Sequence, residues 1–434
     1  MHADLAALVG AEHVACDVVL ADESRLSGRA AALVRPGSAE EVARVVAWCY
    51  ERDIAMVPVG GLTGYAGGAV PRVDPGGDVI AIALNRLDRI RSFDPLAWRM
   101  EAEAGVTTAT IARRARESGL LFPPDPGAAE QSQLGGNLAT NAGGPHAFKY
   151  GVTGRWVLGV EAVIAPGELV SFGGPVVKDV AGLDLRALLI GSEGTLGIIT
   201  AAWLRLVPAP EETFVVAAGF PSIAAGCAAI DAVRGSGVVP AALEYLDGLS
   251  LRAAPAPFVD GSPELLVVCE AESAHERDEL LAALGDGAVA PPPADVWRWR
   301  EGVSFAVRGL RGDKLSEDVA VPVERLREAI EGVLAIGARV GVEACSWGHA
   351  GDGNLHASFL HGSPEGRERA EAAAAELFDL ARALGGTASG EHGIGLLKAG
   401  QLSRQWAPAA VGAARAVKRA LDPKGLFNPG KKEP

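Results

Sequence analysis

The chain has 434 residues, a formal net charge of −14, and 49% hydrophobic against 22% charged residues. That length allows two or three domains, and low charge with high apolar content excludes a disordered chain. A pI near 5.1 argues against nucleic-acid binding, which needs clustered Lys and Arg to neutralise phosphates.

The N-terminus, Met1-His2-Ala3-Asp4, has no basic stretch leading into an apolar one, so it does not read as a signal peptide. No apolar run is long enough to span a bilayer. Residues 38–53 read as a helix, with Ser38 and Glu41 as a capping box and Val42, Val45, Val46 and Cys49 as its apolar stripe. A short strand over 54–58 runs into a glycine cluster, 78–84 is a second strand, and 107–117 is a helix. A proline-rich turn starts at Phe122. From Gly135 to Gly197 the chain is glycine-dense, interrupted by apolar strands near 158–164 and 188–190. The texture changes at Val207-Pro208-Ala209-Pro210, where we place a domain boundary. Beyond it, strands over 213–220 and 264–271 alternate with helices over 222–234 and 275–284. A helix over 323–335, strands over 342–347 and 355–360, and a long helix over 364–384 follow. Cys16, Cys49, Cys227, Cys269 and Cys345 are scattered with no CxxC, which fits reduced cytoplasmic thiols and leaves no iron–sulfur motif.

Pro58-Val59-Gly60-Gly61-Leu62-Thr63-Gly64-Tyr65-Ala66-Gly67-Gly68 follows a strand. Glycines this dense let successive N–H groups converge on an anion such as pyrophosphate. No Lys-Ser/Thr follows, and the G-x-G-x-x-G spacing is absent, so it is neither a Walker loop nor a Rossmann fingerprint. Gly285-Asp286-Gly287 approaches that spacing but follows a helix, and reads as a helix C-cap. Two further clusters, Gly135-Gly136-Asn137-Leu138-Ala139-Thr140-Asn141-Ala142-Gly143-Gly144 and Gly191-Ser192-Glu193-Gly194-Thr195-Leu196-Gly197-Ile198, mix small residues with amides and hydroxyls. Together they suggest one large phosphate-bearing ligand wrapped by loops.

In the C-terminal half, His349 and His356 flank Ala350-Gly351-Asp352-Gly353-Asn354-Leu355, a hairpin-length loop that can bring both imidazoles to one point. Ser389-Gly390-Glu391-His392-Gly393 adds a carboxylate and another imidazole. Two His and one Glu can hold a divalent ion with positions left open, although the spacing alone also allows ordinary hydrogen-bonded histidines. Trp297-Arg298-Trp299-Arg300 offers an Arg fork for a carboxylate, with aromatic–Arg packing as the structural alternative.

With PVGGLTGYAGG, FPPDPG, GGNLATNAGG, KYG, GSEGTLGIIT and LDPKGLFNPGK in this order, the chain resembles the flavoproteins of the vanillyl-alcohol-oxidase type. More narrowly, it resembles their D-2-hydroxyacid dehydrogenases, which include D-lactate dehydrogenase, the flavin subunit of glycolate oxidase and D-2-hydroxyglutarate dehydrogenase. The resemblance implies an α+β, two-domain fold, with a PCMH-type FAD-binding domain over 1–209. It also implies an antiparallel α+β cap domain over 210–415 and a segment, 416–434, returning to the FAD domain. It implies that FAD contacts Pro58, Gly60, Gly61, Leu62, Thr63, Gly64, Gly67 and Gly68 at the pyrophosphate. Pro123, Asp125, Pro126, Gly135, Gly136, Asn137, Thr140, Asn141, Gly143, Gly144 and Gly151 are the expected contacts beside the flavin. Glu193, Gly197 and Ile198 belong to the ribose and adenine end, and Asn428 to the terminal turn. Gln133 departs from the Thr usual before the Gly-Gly pair. His13 and His146 lie outside the family's attachment motifs, so FAD is expected to be non-covalent.

The resemblance also makes His349, His356 and Glu391 the ligands of a divalent metal, zinc ahead of manganese or iron, and His392 the catalytic base. Arg300, Lys314 and Ser304 become substrate-binding residues. Ser358 stands where hydroxyglutarate enzymes carry Asn, which turns the expectation toward D-lactate or glycolate. The implied reaction oxidises the 2-hydroxy acid to the 2-oxo acid by hydride transfer to flavin N5. Electrons then leave to a quinone, cytochrome, electron-transfer flavoprotein or iron–sulfur partner subunit. The expected location is cytoplasmic, peripheral to a membrane if a partner sits there. The alternatives are a non-redox transferase like alkyl-dihydroxyacetone-phosphate synthase, whose run of cap histidines is missing here, a non-catalytic flavin subunit of a larger complex, and a structural metalloprotein.

Overall fold

The computed structural model describes residues 1–72 and 77–433. The chain forms two compact units, one of Met1–Gly144, Gly151–Ala209 and His392–Pro434, the other of Pro145–Tyr150 and Pro210–Glu391. The chain crosses into the second unit at Pro210, the end of the Val207–Pro210 break. It returns at His392, where the sequence suggests 416, and residues 145–150 make a short excursion into the second unit that no composition signal marks.

In the first unit, Val14–Ala21 (β1), Ser27–Val34 (β2), Ala55–Val59 (β3) and Val79–Ala83 (β4) form a sheet of order β1-β2-β4-β3. β1 and β2 are antiparallel, while β4 runs parallel to both β2 and β3. The helix Ala39–Glu51 forms because Ser38 accepts from Glu41 N, and its stripe of Val42, Val45, Val46 and Cys49 is buried against Met56, Ile80 and Ile82. Ile90–Asp94 (β5) and Arg99–Glu103 (β6) precede a two-residue strand, Leu120–Leu121 (β7). Val157–Ile164 (β8), Glu168–Gly173 (β9) and Ile198–Arg205 (β10) follow, and the second sheet is antiparallel in the order β5-β6-β10-β8-β9. Val207–Pro208 (β11) pairs with β7. The strand expected at 188–190 is instead the end of a helix, Leu185–Leu189, because the Asp184 carboxylate accepts from Ala187 N and starts a turn there.

The second unit is built on one antiparallel sheet. Its strands are Phe214–Phe220 (β12), Ala242–Asp247 (β13), Leu265–Ala271 (β14), Asp313–Ala320 (β15), Ala344–His349 (β16) and Asn354–His361 (β17). Their order is β12-β14-β13-β16-β17-β15. Alternation along the strands separates two faces. One, with Val216, Val267 and Phe359, is covered by the helices Ile223–Gly235, Ala274–Leu284, Leu326–Val340 and Pro364–Ala383. The other, with Val215, Val268, Cys345 and Trp347, lies under the helix Pro293–Gly309, which starts at the last of three consecutive prolines, residues 291–293. Gly285 is the C-cap of the helix Ala274–Leu284 at φ +84°, a turn rather than a phosphate loop.

Candidate functional site

Within the first unit the three glycine clusters meet. A Cβ at Gly60 would lie 3.6 Å from Gly136 Cα, and one at Gly61 would collide with Gln131 O at 2.1 Å, so the first cluster runs against the second at backbone contact. Gly191 N and Glu193 N donate to Leu138 O and Ala139 O at 2.8 and 2.7 Å, joining the third cluster to the helix Leu134–Thr140. Asn428 Nδ2 donates to Gly68 O at 2.9 Å and to Glu193 O at 2.6 Å, so the terminal turn ties the first and third clusters together.

Two observations show that this cradle fits a polar ligand held by backbone. Beyond its chain neighbours and its own helix backbone, nothing lies within 4 Å of where a Cβ on Gly136 would stand, although Gly136 sits in a helix that Ala would favour. Gln133 Oε1, facing the Gly60 backbone, is buried with no hydrogen-bond partner, and a buried orphan acceptor calls for a donor. Among the expected contacts, several side chains are already engaged with protein. Asn137 donates to Thr108 Oγ1, and Asn141, left-handed at φ +55°, accepts from Gly154 N. Thr140 Oγ1 bonds Gly136 O, and Ile198 is core. Glu193 is buried, and its carboxylate accepts from Ile394 N, Gly395 N and Lys432 Nζ, so it clamps the returning chain.

His392 opens that return. Its imidazole stacks on Tyr65 of the first cluster with centroids 4.7 Å apart and planes tilted by 31°, a placement no sequence spacing could reveal.

In the second unit, β16 and β17 form the expected hairpin, with His349 opposite Asn354 and Trp347 opposite His356. Both imidazoles therefore lie on the face under the helix Pro293–Gly309. Asp318 of β15, opposite His356, accepts from Gly390 N and Glu391 N at 2.6 and 2.7 Å and so presents Glu391 to the histidines. His349 Nε2 and His356 Nε2 are 3.5 Å apart, and Glu391 Oε1 is 3.6 and 3.2 Å from them. A tetrahedral ion with bonds of about 2.0–2.1 Å separates its ligand atoms by roughly 3.3–3.4 Å. The donor set therefore fits a divalent ion such as zinc. Burial alone would raise the Glu391 carboxyl, but hydrogen bonds and charge from His349 and His356 outweigh it and hold the group well below the usual carboxylate range.

The same face continues away from the histidines as a polar strip. Lys314 Nζ donates to Ser304 Oγ at 2.8 Å and Ser358 Oγ at 3.4 Å, stands 4.6 Å from the Trp347 ring centroid, and Ser358 also bonds Ser316 at 2.7 Å. Lys314 and Ser304 thus come together. Arg300 does not point into that strip. Its Nε and Nη2 both donate to Glu244 Oε2, at 3.0 and 2.7 Å, and Glu244 Oε1 meets His349 Nδ1. Sequence reading missed Glu244 and Asp318. Each lies on a strand other than its partner's, and only sheet register brings them to the cluster.

Residues 30–173 match the FAD binding domain, and residues 209–432 match the C-terminal domain of FAD linked oxidases. The glycolate oxidase subunit GlcD of Bacillus subtilis (strain 168) is 34% identical over 419 residues, 92% of this chain and 88% of that protein. A D-lactate dehydrogenase of Anaerostipes hadrus is 34% identical over 439 residues, 94% of this chain and 91% of that protein. A solved alkyldihydroxyacetonephosphate synthase superposes with a TM-score of 0.76 over 98% of this chain and 84% of that one, at 20% identity, a likeness of fold alone. No helix among the described residues is long and apolar enough to cross a membrane. With both halves matched and the glycine clusters gathered in one unit, the chain belongs to the FAD-linked oxidases and has the two-domain fold of vanillyl-alcohol-oxidase type flavoproteins.

Proposed function

We propose that this protein oxidises a D-2-hydroxy acid, D-lactate or glycolate, to the 2-oxo acid and passes the electrons to an external acceptor. The observation that carries this reading is the His349–His356–Glu391 triad with the Lys314 ammonium on the same sheet face, a cation site and an anion site on one rigid scaffold. FAD, when bound, supplies the two-electron acceptor, and a divalent ion at the triad supplies Lewis acidity toward a hydroxyl.

The protein's own groups divide the remaining work. Lys314 binds a carboxylate, held in place by Ser304, Ser358 and the Trp347 ring. It is a better choice than Arg300, whose Nε and Nη2 are committed to Glu244. His392 takes the hydroxyl proton as general base, and its stack on Tyr65 holds the ring in one orientation. Asp318 fixes the backbone at Gly390 and Glu391 and so limits the freedom of the ligand loop. Ser358 stands where the hydroxyglutarate enzymes carry Asn, and its short hydroxyl, bonded to Ser316 and Lys314, does not offer the amide contact that Asn would, which supports D-lactate or glycolate over hydroxyglutarate. The name of the Bacillus relative, a subunit of glycolate oxidase, supports a protein partner as electron acceptor.

The test is anaerobic mixing of purified protein with D-lactate or glycolate, following flavin absorbance with and without a chelator. Bleaching that the chelator abolishes and added zinc restores is the expected result. A yellow protein that stays oxidised with every D-2-hydroxy acid tried would overturn the proposal, and bleaching indifferent to chelator would remove the metal from it.

A further inference from the structure

Glu244 is wholly buried on β13, opposite His349 in the antiparallel register with β16. A carboxylate out of water is costly unless each lone-pair direction meets a donor. Here one oxygen meets His349 Nδ1 and the other accepts two N–H groups of Arg300, at 3.0 and 2.7 Å. Both partners come from other elements, β16 and the helix Pro293–Gly309, so three elements converge on this one side chain.

An imidazole that donates its Nδ1 proton to a carboxylate presents a lone pair at Nε2. In His349 that is the nitrogen directed at His356 and Glu391. We propose that Glu244 is a positioning residue of the candidate metal site: it fixes His349 in the Nδ1–H tautomer, and Arg300 supplies the charge that lets a buried carboxylate do so. The inference rests on the divalent ion proposed above. It gives Arg300 a role inside the protein, distinct from a grip on substrate.

The chemistry makes an unusual prediction for Glu244→Gln. Arg300 can only donate, so it takes the amide oxygen. The amide NH2 then faces His349 Nδ1, which must become an acceptor, and the ring proton moves to Nε2 where it blocks an ion. Removing Arg300 as well, in E244Q/R300M, frees the amide to turn its oxygen to Nδ1–H and restores the ligating tautomer. A purely structural role predicts the reverse order, with the double variant worse than the single.

The measurement is zinc affinity of the FAD-loaded, chelator-stripped protein by competition with a chromogenic chelator. Flavin content and melting temperature serve as folding checks. We expect E244Q to bind zinc about 10- to 100-fold more weakly than wild type, and E244Q/R300M to recover most of that loss. Unchanged affinity in E244Q, or a double variant no better than the single, overturns the inference. Wild-type protein with no zinc site sensitive to His356→Ala sinks the metal reading itself, an outcome distinct from the first two. Should E244Q not fold, 15N-histidine spectra of zinc-loaded wild type decide the matter. A proton on His349 Nδ1 supports the assignment, and a proton-free Nδ1 refutes it.

Discussion

Gly136→Ala separates a cofactor cradle from a merely tight loop, because the two readings differ in sign. Gly136 lies within the helix Leu134–Thr140, and beyond its chain neighbours and its own helix backbone nothing stands within 4 Å of the new methyl. For the apoprotein the change should stabilise, by about 0.5–1 kcal/mol, since Gly costs that much against Ala inside a helix. If FAD occupies the open space, the methyl overpacks the complex at a cost of roughly 1–3 kcal/mol, which is roughly a 5- to 150-fold rise in the FAD dissociation constant. Flavin-fluorescence titration of apoprotein gives the affinity, and a melting curve of the same sample gives the stability. The expected pair is a higher melting temperature with weaker FAD binding. FAD binding as tight as wild type would refute the placement of the cofactor against the second glycine cluster.

Gly61→Ala should lower both readouts, because its Cβ would meet backbone at Gln131 O, 2.1 Å away, and the loop has to shift. A cost of about 1–3 kcal/mol is expected, and an unaltered apoprotein melting temperature would contradict the packing. Lys314→Met should raise KM for the hydroxy acid far more than it lowers kcat, reducing kcat/KM about 10- to 100-fold for the loss of a charge-assisted contact of about 1.5–3 kcal/mol. Steady-state kinetics with unchanged KM would remove Lys314 from substrate binding. Asp247, whose carboxyl burial pushes up to about 6 from an ordinary 3.8, accepts from Ser250 N, Ser250 Oγ and Ser346 N. Between those values the folded state holds the extra proton, so this group's contribution to stability falls as pH rises through the window. The margin of wild type over Asp247→Asn should shrink from pH ~4 to pH ~7 by an amount on the order of 3 kcal/mol, and melting curves showing a margin that widens would overturn the sign.

Local patterns marked many of the regular elements, but at 188–190 they pointed to a strand where the chain ends a helix. Ser38 announces its helix and accepts from Glu41 N, because capping is a contact within one turn, and the structure shows Ser222 and Ser273 capping their helices in the same way. The His349–His356 hairpin was legible for the same reason, since a loop of that length leaves its strand ends few places to go. The glycine clusters declared a backbone-lined site, and their order carried the family. What sequence could not supply is register and return. Glu244 and Asp318 join the triad only because β13 pairs with β16 and β15 with β17, pairings between strands up to about a hundred residues apart. Arg300 reads in sequence as a carboxylate fork for substrate, and it is the fold that hands it a buried carboxylate of its own. Glu193 reads as a ligand contact, yet it clamps residues 394 and 395 two hundred positions later. Chemistry that depends on neighbours within a turn or a hairpin is written locally. Charge pairing across strands is decided only when tertiary packing removes water and forces each buried carboxylate to find its donors.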